Sequence, residues 1–194
     1  MVQEWKNPTA SLQGQLLIAS PHMEDPRFKE AVIMICQHDS NSAMGVIINQ
    51  QSDKINLSQL CETLDIGTPA FCGDQPIHIG GPVNSSRGFV LHSKDHMRPE
   101  SVTLTNEIGL TSSIKILREI SDGIGPKKAI ISLGCAGWSA GQLDSEITQN
   151  AWLCLPSSSE IVFYKDIKQT FESFDFINSC YAIRAESSRF YLVY

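Results

Sequence analysis

The sequence predicts a single domain built on a mixed sheet, an α/β or α+β fold, and three observations carry that expectation. Short runs rich in β-branched residues recur along the chain. Helical spacings fall between some of them, and the two kinds alternate too irregularly for a simple doubly wound sheet. The chain has 194 residues, enough for one substantial core, with no repeat, low-complexity tract or interdomain linker.

The elements follow in order. Gln15 to Ala19 is a short apolar run ended by Ser20-Pro21, a strand entering a loop that Asp25-Pro26 prolongs. Ala31 to Cys36 and Met44 to Ile48 flank the turn-forming Asp39-Ser-Asn-Ser42 and read as a β-hairpin. Asn56 or Ser58 caps a short helix that carries Leu60, Cys61 and Leu64 and closes near Gly67. Ile77 to Ile79 is a strand broken by Gly80-Gly-Pro82 and resumed at Gly88 to His92, and Val102 to Thr105 is another. Thr111-Ser-Ser113 opens a helix with Ile114, Leu117 and Ile120 on one side, ending at Gly123. Ala129 to Leu133 reads as a strand; Trp152 to Leu155 and Glu160 to Tyr164 follow, the latter a strand, as is the terminal Arg189 to Tyr194. The aromatic-rich stretch from Phe171 to Tyr194 either packs on the core or offers an edge strand for a homo-oligomer.

Composition narrows the function. The net charge is −6 and the longest basic run is Lys127-Lys128, which disfavours direct binding of DNA or RNA, where Lys and Arg must neutralise phosphates. No basic segment followed by an apolar one opens the chain, and the longest apolar run, Ala31 to Cys36, falls far short of the roughly 20 residues that span a bilayer. A cytoplasmic protein with no membrane contact is expected. The six cysteines are scattered without a C-x-x-C pair, so they read as reduced thiols and not as a zinc or iron–sulfur set. His92 and His96 have the H-x-x-x-H spacing, yet His92 ends a strand and no Glu follows it, so no metal and no other cofactor is expected.

Two segments concentrate polar and glycine residues. In Gly134 to Trp152 the chain is expected to turn through Gly134 to Gly137. Ser139 with Gln142 then matches a capping box. Leu143, Ile147 and Ala151 would face the core, while Gln142, Glu146 and Asn150 share a polar stripe and Trp138 and Trp152 pack around the unit. Asp144 and Glu146 sit early, where the helix dipole favours negative charge and an added phosphate would be repelled. Gly137-Trp-Ser-Ala-Gly141 matches the G-x-S-x-G string of hydrolase elbows, but too many residues separate it from its strand. The second segment runs from Gly80 to His92. Gly80 and Gly81 permit a close backbone approach, and Arg87 offers a donor fork suited to a carboxylate or phosphate, or to an internal ion pair with Asp144 or Glu146. The expected recognition set is therefore Gly80, Gly81, Arg87, His92, Gly137, Trp138, Gln142, Asp144, Glu146 and Asn150, gathered on one face to bind a small molecule or a protein. The alternative is an enzyme using Cys135 or Ser139 with His92 as base.

Several of these strings, in this order, resemble the YqgE/AlgH family of bacterial proteins: Leu16-Leu-Ile-Ala-Ser-Pro-His-Met23, Met44-Gly-Val-Ile-Ile-Asn49, Gly80-Gly-Pro-Val83, Arg87 to His92, and Gly134 through Leu143 to Leu153. The resemblance covers about Leu12 to Pro156. It implies a barrel-like mixed sheet flanked by helices and no established reaction. Members are often labelled transcriptional regulators because one was linked to alginate control. Cys135 and Asp144 stand where the family usually has Tyr and Glu, and residues 157–194 lack the family's carboxy-terminal signals, a divergent segment of one 1–194 domain.

Overall fold

A computed structural model describes residues 11–67, 69 and 73–163. The carboxy-terminal strand expected at Arg189 to Tyr194 lies outside them, as do Cys72, Tyr164 and Cys180. The described strands form one curled sheet, with helices on its convex side and one short helix against its concave core.

β1 (Gln15–Ala19), β2 (Val32–His38) and β3 (Ser42–Ile47) form an antiparallel meander, and the predicted hairpin pairs Ile33 with Ile47. Strict alternation sorts their side chains. Leu16, Ile18, Val32, Met34 and Val46 enter the concave core, while Leu17, Ala19, Ile33, Ile35 and Ile47 enter a convex one. β4 (Gln51–Asn56), largely polar and not expected from the sequence, leads into α1 (Leu57–Thr63). Asn56 is its cap: Asn56 Oδ1 accepts from Gln59 N–H and Gln59 Oε1 accepts from Asn56 N–H, both at 3.0 Å.

β5 (Pro76–Ile79) precedes the long β6 (Val83–Ser93), which starts five residues before the predicted Gly88. β7 (Val102–Thr103) and β8 (Ile108–Thr111) complete that side, with β8 hidden from pattern reading because it is only four residues and buried on both faces. α2 (Ile114–Ser121) starts at the cap Ser113, but it buries Ile116, Leu117 and Ile120 and leaves Ile114 exposed. Together α1 and α2 cover Ile77, Val90 and Ile131 on the convex face.

β9 (Ala129–Ser139) is the axis of the sheet. It pairs with β6 along one edge, and on the other with β5, in parallel, and then with β3. α3 (Gln142–Thr148) packs on the convex side, and β10 (Trp152–Pro156) closes antiparallel on β1, Leu17 opposite Cys154. The strand expected at Glu160 to Tyr164 is corrected: Ser159–Val162 is a helical turn, α4, because Ser158 Oγ accepts from Ile161 N–H and Val162 docks into the concave core. No helix among the described residues is long and apolar enough to cross a membrane.

Candidate functional site

The glycine–tryptophan segment does not turn at Gly134. It continues as strand to Ser139, because β6 and β3 pair with its backbone across that stretch. The turn comes later, at Ala140-Gly141, where Gly141 takes φ 67° and stands at the helix N-cap. Half of the expected capping box is present: Gln142 Oε1 accepts from Ser139 N–H at 3.0 Å. The other half is absent, because no side chain caps α3, so Ser139 is an exposed residue before the turn.

Extension of the strand sends Trp138 to the convex side beside Trp152, with ring centroids 6.0 Å apart in an edge-to-face arrangement. Between and above them lies Glu146. Its Oε2 accepts from Trp138 Nε1–H at 2.9 Å and from Trp152 Nε1–H at 2.7 Å, and its Oε1 accepts from Gln142 Nε2–H at 2.9 Å. One carboxylate thus ties α3 to β9 and β10, the polar handle that large indoles need when they are buried. Asn150 belongs to the same unit as its terminator. At φ 60° it ends the helix, its N–H reaching Ile147 O and that of Ala151 reaching Glu146 O, a Schellman closure. Asp144 Oδ2 lies 3.5 Å from His38 Nε2, and His38 Nδ1 accepts from Leu12 N–H at 3.0 Å, which fixes the start of the described chain against the hairpin.

The close backbone approach expected at Gly80 and Gly81 is present, and its cause is a strand crossing. β5 and β6 lie on opposite edges of β9, so the chain crosses that strand within Gly80-Gly-Pro82. The backbones touch: a Cβ on Gly80 would lie 2.2 Å from Gly134 O, one on Gly81 2.3 Å from Cys135 C, and one on Gly134 2.4 Å from Gly81 O. Gly81 and Gly134 also hold φ values of 145° and 78°. Gly137 is different, with only Val83 Cγ2 near its open side, at 3.8 Å.

His92 is wholly buried, and its ring is committed. The Ser93 carbonyl can only accept, so Nδ1 carries the proton and donates at 3.0 Å, leaving Nε2 to accept from Thr111 Oγ1–H at 2.9 Å. Thr111 Oγ1 meets Ser101 Oγ at 2.6 Å, and Ser101 Oγ accepts from Arg98 N–H at 2.9 Å. Burial holds the His92 pKa below its ordinary value, consistent with a neutral ring. The register sets it opposite Ala129, six positions along β9 from Cys135, or about 20 Å at the usual rise of a strand. It also shares the convex face with Val90, whereas Cys135 belongs to the concave core. The structure therefore does not bring His92 to Cys135, and Ser139 is farther still. Burial raises the Cys135 thiol pKa, with the Arg87 charge pulling it partly back.

Arg87 is not paired with Asp144 or Glu146, whose partners are given above. Its Nε–H donates to Ser112 Oγ at 3.2 Å, and its guanidinium carbon lies 5.2 Å from the centre of the Phe89 ring. It stands in a broad bulge, since β6 moves five positions, from Val83 to Gly88, while its partner on β9 moves only two, from Cys135 to Leu133. Residues 82–87 are exposed. Arg87 stacks on Phe89 of the concave core, whereas Gln142 and Glu146 are fixed to the convex face through Trp138. The two motifs meet through the β9 backbone, and their side chains are not gathered on one face.

The family model described as AlgH-like (DUF179) matches residues 16–174. A UPF0301 protein of Rhodospirillum rubrum is 39% identical over 160 residues, covering 82% of this chain and 83% of the relative. One of Methylobacterium nodulans is 44% identical over 167 residues, covering 81% and 80%. The solution structure of the AlgH protein from Pseudomonas aeruginosa is similar with a TM-score of 0.69 and 40% identity, covering 84% of this chain and 85% of that one. A protein from Corynebacterium diphtheriae, at 24% identity and a TM-score of 0.66, shares the fold. With most of its length matched by the family model, and with relatives and a solved structure agreeing, the chain belongs to the AlgH-like family.

Proposed function

We propose that this chain is a non-enzymatic cytoplasmic module that recognises a small ligand or a protein and acts in regulation, and that the bulge of β6 from Val83 to Gly88 is its recognition surface. The supporting observation is Arg87, which is exposed and held in place by Ser112 and Phe89, with no carboxylate paired to it among the described residues. Gly134, Gly141 and the tryptophans of the other motif already have structural duties, and the enzyme reading has lost the contact it needs between a nucleophile and His92. A transcription-related role would be exerted through such a partner, since the acidic chain offers no basic run for nucleic acid.

The test is a pull-down from native cytosol with wild type, Arg87→Ala and Arg27→Ala, the last removing an exposed arginine already paired with Asp25. A partner retained by Arg27→Ala and lost by Arg87→Ala, with unchanged circular dichroism, is the expected result. Equal recovery by all three overturns the assignment of this surface. A regulatory role further requires that the Arg87→Ala strain reproduce the transcript changes of a deletion strain.

A further inference from the structure

Resting on that recognition surface, we infer that Arg87 anchors a site for an oxyanion, the carboxylate or phosphate group of a small ligand, bound in two-pronged fashion by the terminal nitrogens of the guanidinium. Three features of the bulge support this. The first is orientation. Ser112 Oγ gives its hydrogen to Gly88 O at 2.8 Å, so its lone pair faces the Arg87 Nε–H, while the guanidinium carbon lies over the Phe89 ring, 5.2 Å from its centre. The side chain is thereby held from one edge and one face, and the fork formed by Nη1 and Nη2 has no partner among the described residues. An arginine already held still loses less freedom on binding than a loose one.

The second feature is charge. Arg27 is neutralised by Asp25, and Arg98 by Glu100 and Glu119, whereas Arg87 is held by a hydroxyl and a ring, both neutral. The titratable group on which its charge registers is the Cys135 thiol, which burial keeps protonated. In a chain of net charge −6 this cation is left without a paired carboxylate among the described residues, in the bulge of β6.

The third is space and company. A Cβ on Gly88 would meet nothing within 4 Å on the face opposite Arg87, and residues 82–87 are themselves exposed. Asn84, in the left-handed region at φ 49°, and Ser85 and Ser86 share the bulge, are exposed, and have no side-chain hydrogen bond among the described residues. They supply small donors of the kind that complete the coordination of an anion held by an arginine.

The experiment is a nuclear magnetic resonance titration of the full chain at low ionic strength, with inorganic phosphate and acetate as probes and sodium chloride at matched ionic strength as control. Saturable shifts of the Arg87 Nε–H and of the amides of Asn84 to Gly88 and Ser112 are expected with phosphate, acetate or both, and the responding probe identifies the source. Arg87→Lys, which keeps the charge and loses the fork, should weaken binding about tenfold. Arg87→Ala should abolish it, while both variants keep the wild-type melting temperature. The inference is overturned if neither probe gives saturable shifts, if chloride gives the same ones, or if Arg87→Ala responds like wild type. Should the probes fail while Arg87→Ala still loses a partner in the pull-down, the recognition surface stands without the anion. Should they bind while the pull-down shows no difference, the anion site stands and the partner-binding reading fails.

Discussion

Glu146 satisfies three donors with two oxygens, and its removal would strand two indole N–H groups against the convex core. Glu146→Ala is expected to cost about 3 kcal/mol, since each buried unpaired donor costs roughly 1–3 kcal/mol, and Glu146→Gln about 1 kcal/mol because an amide oxygen still accepts. Urea denaturation of the two variants measures the difference, and equal losses would show that the carboxylate is not the tie. At this scale the sequence was only partly readable. The polar stripe of Gln142 and Glu146 was evident from helical spacing. That both indoles would converge on one oxygen depended on β9 and β10, not adjacent in the sheet, sending Trp138 and Trp152 into the same core, which no local pattern encodes. His92 was opaque for the same reason: its burial and its bond to Thr111 depend on β8 pairing beside β6, which nothing near it in sequence signals.

Elements were most legible where a local rule decided them. Asn56, one of the two caps the sequence offers, opens α1, and Asn56→Ala should lower stability by about 1 kcal/mol, readable as a shift in the melting temperature. β9 shows the converse. Glycines at Gly134 and Gly137 suggested a turn, yet one serves a backbone crossing and the other lies in regular pairing with Met44. The pair gives a direct test. Gly134→Ala places a methyl into Gly81 O at a positive φ, and should cost about 3 kcal/mol or more. Gly137→Ala meets only Val83 at van der Waals distance and should change stability by less than about 1 kcal/mol. Thermal denaturation of both variants checks the contrast, and similar stabilities would refute the crossing as the reason for glycine.

For the whole molecule, the fold class followed from the mixture of strand and helix patterns, while the order of strands did not, because β9 recruits partners far away in sequence. Burial also sets the acid response of the molecule. It holds His92 below the ordinary histidine pKa and pushes His78 down from 6.5 to about 4. Both rings are favoured neutral in the folded state. As pH falls from 6.5 toward 4, the unfolded chain takes up protons that the folded chain refuses, and stability is lost, by at most about 3 kcal/mol from His78. Asp39 and Asp95, held below 3.8 chiefly by hydrogen bonds from Gln37 and Ser93, lose their contribution only in more acid solution. The urea midpoint should therefore drop between pH 7 and pH 5, and drop less in His78→Gln. An identical pH dependence in that variant would exclude His78 as a cause.

The crossing at Gly80-Gly-Pro82 also imposes a schedule on biosynthesis. Both strands that flank β9 leave the ribosome before it, so a slot must stand open until residue 139 has been made. At synthesis rates of roughly 5–20 residues per second, that interval is on the order of a few seconds, with two strand edges unpaired in a nascent chain. β1 waits longer still, because its partner β10 comes last among the described strands. A chain cut before Ala129 therefore lacks the strand that joins the two halves of its sheet, and such fragments should aggregate or engage chaperones where the full chain folds.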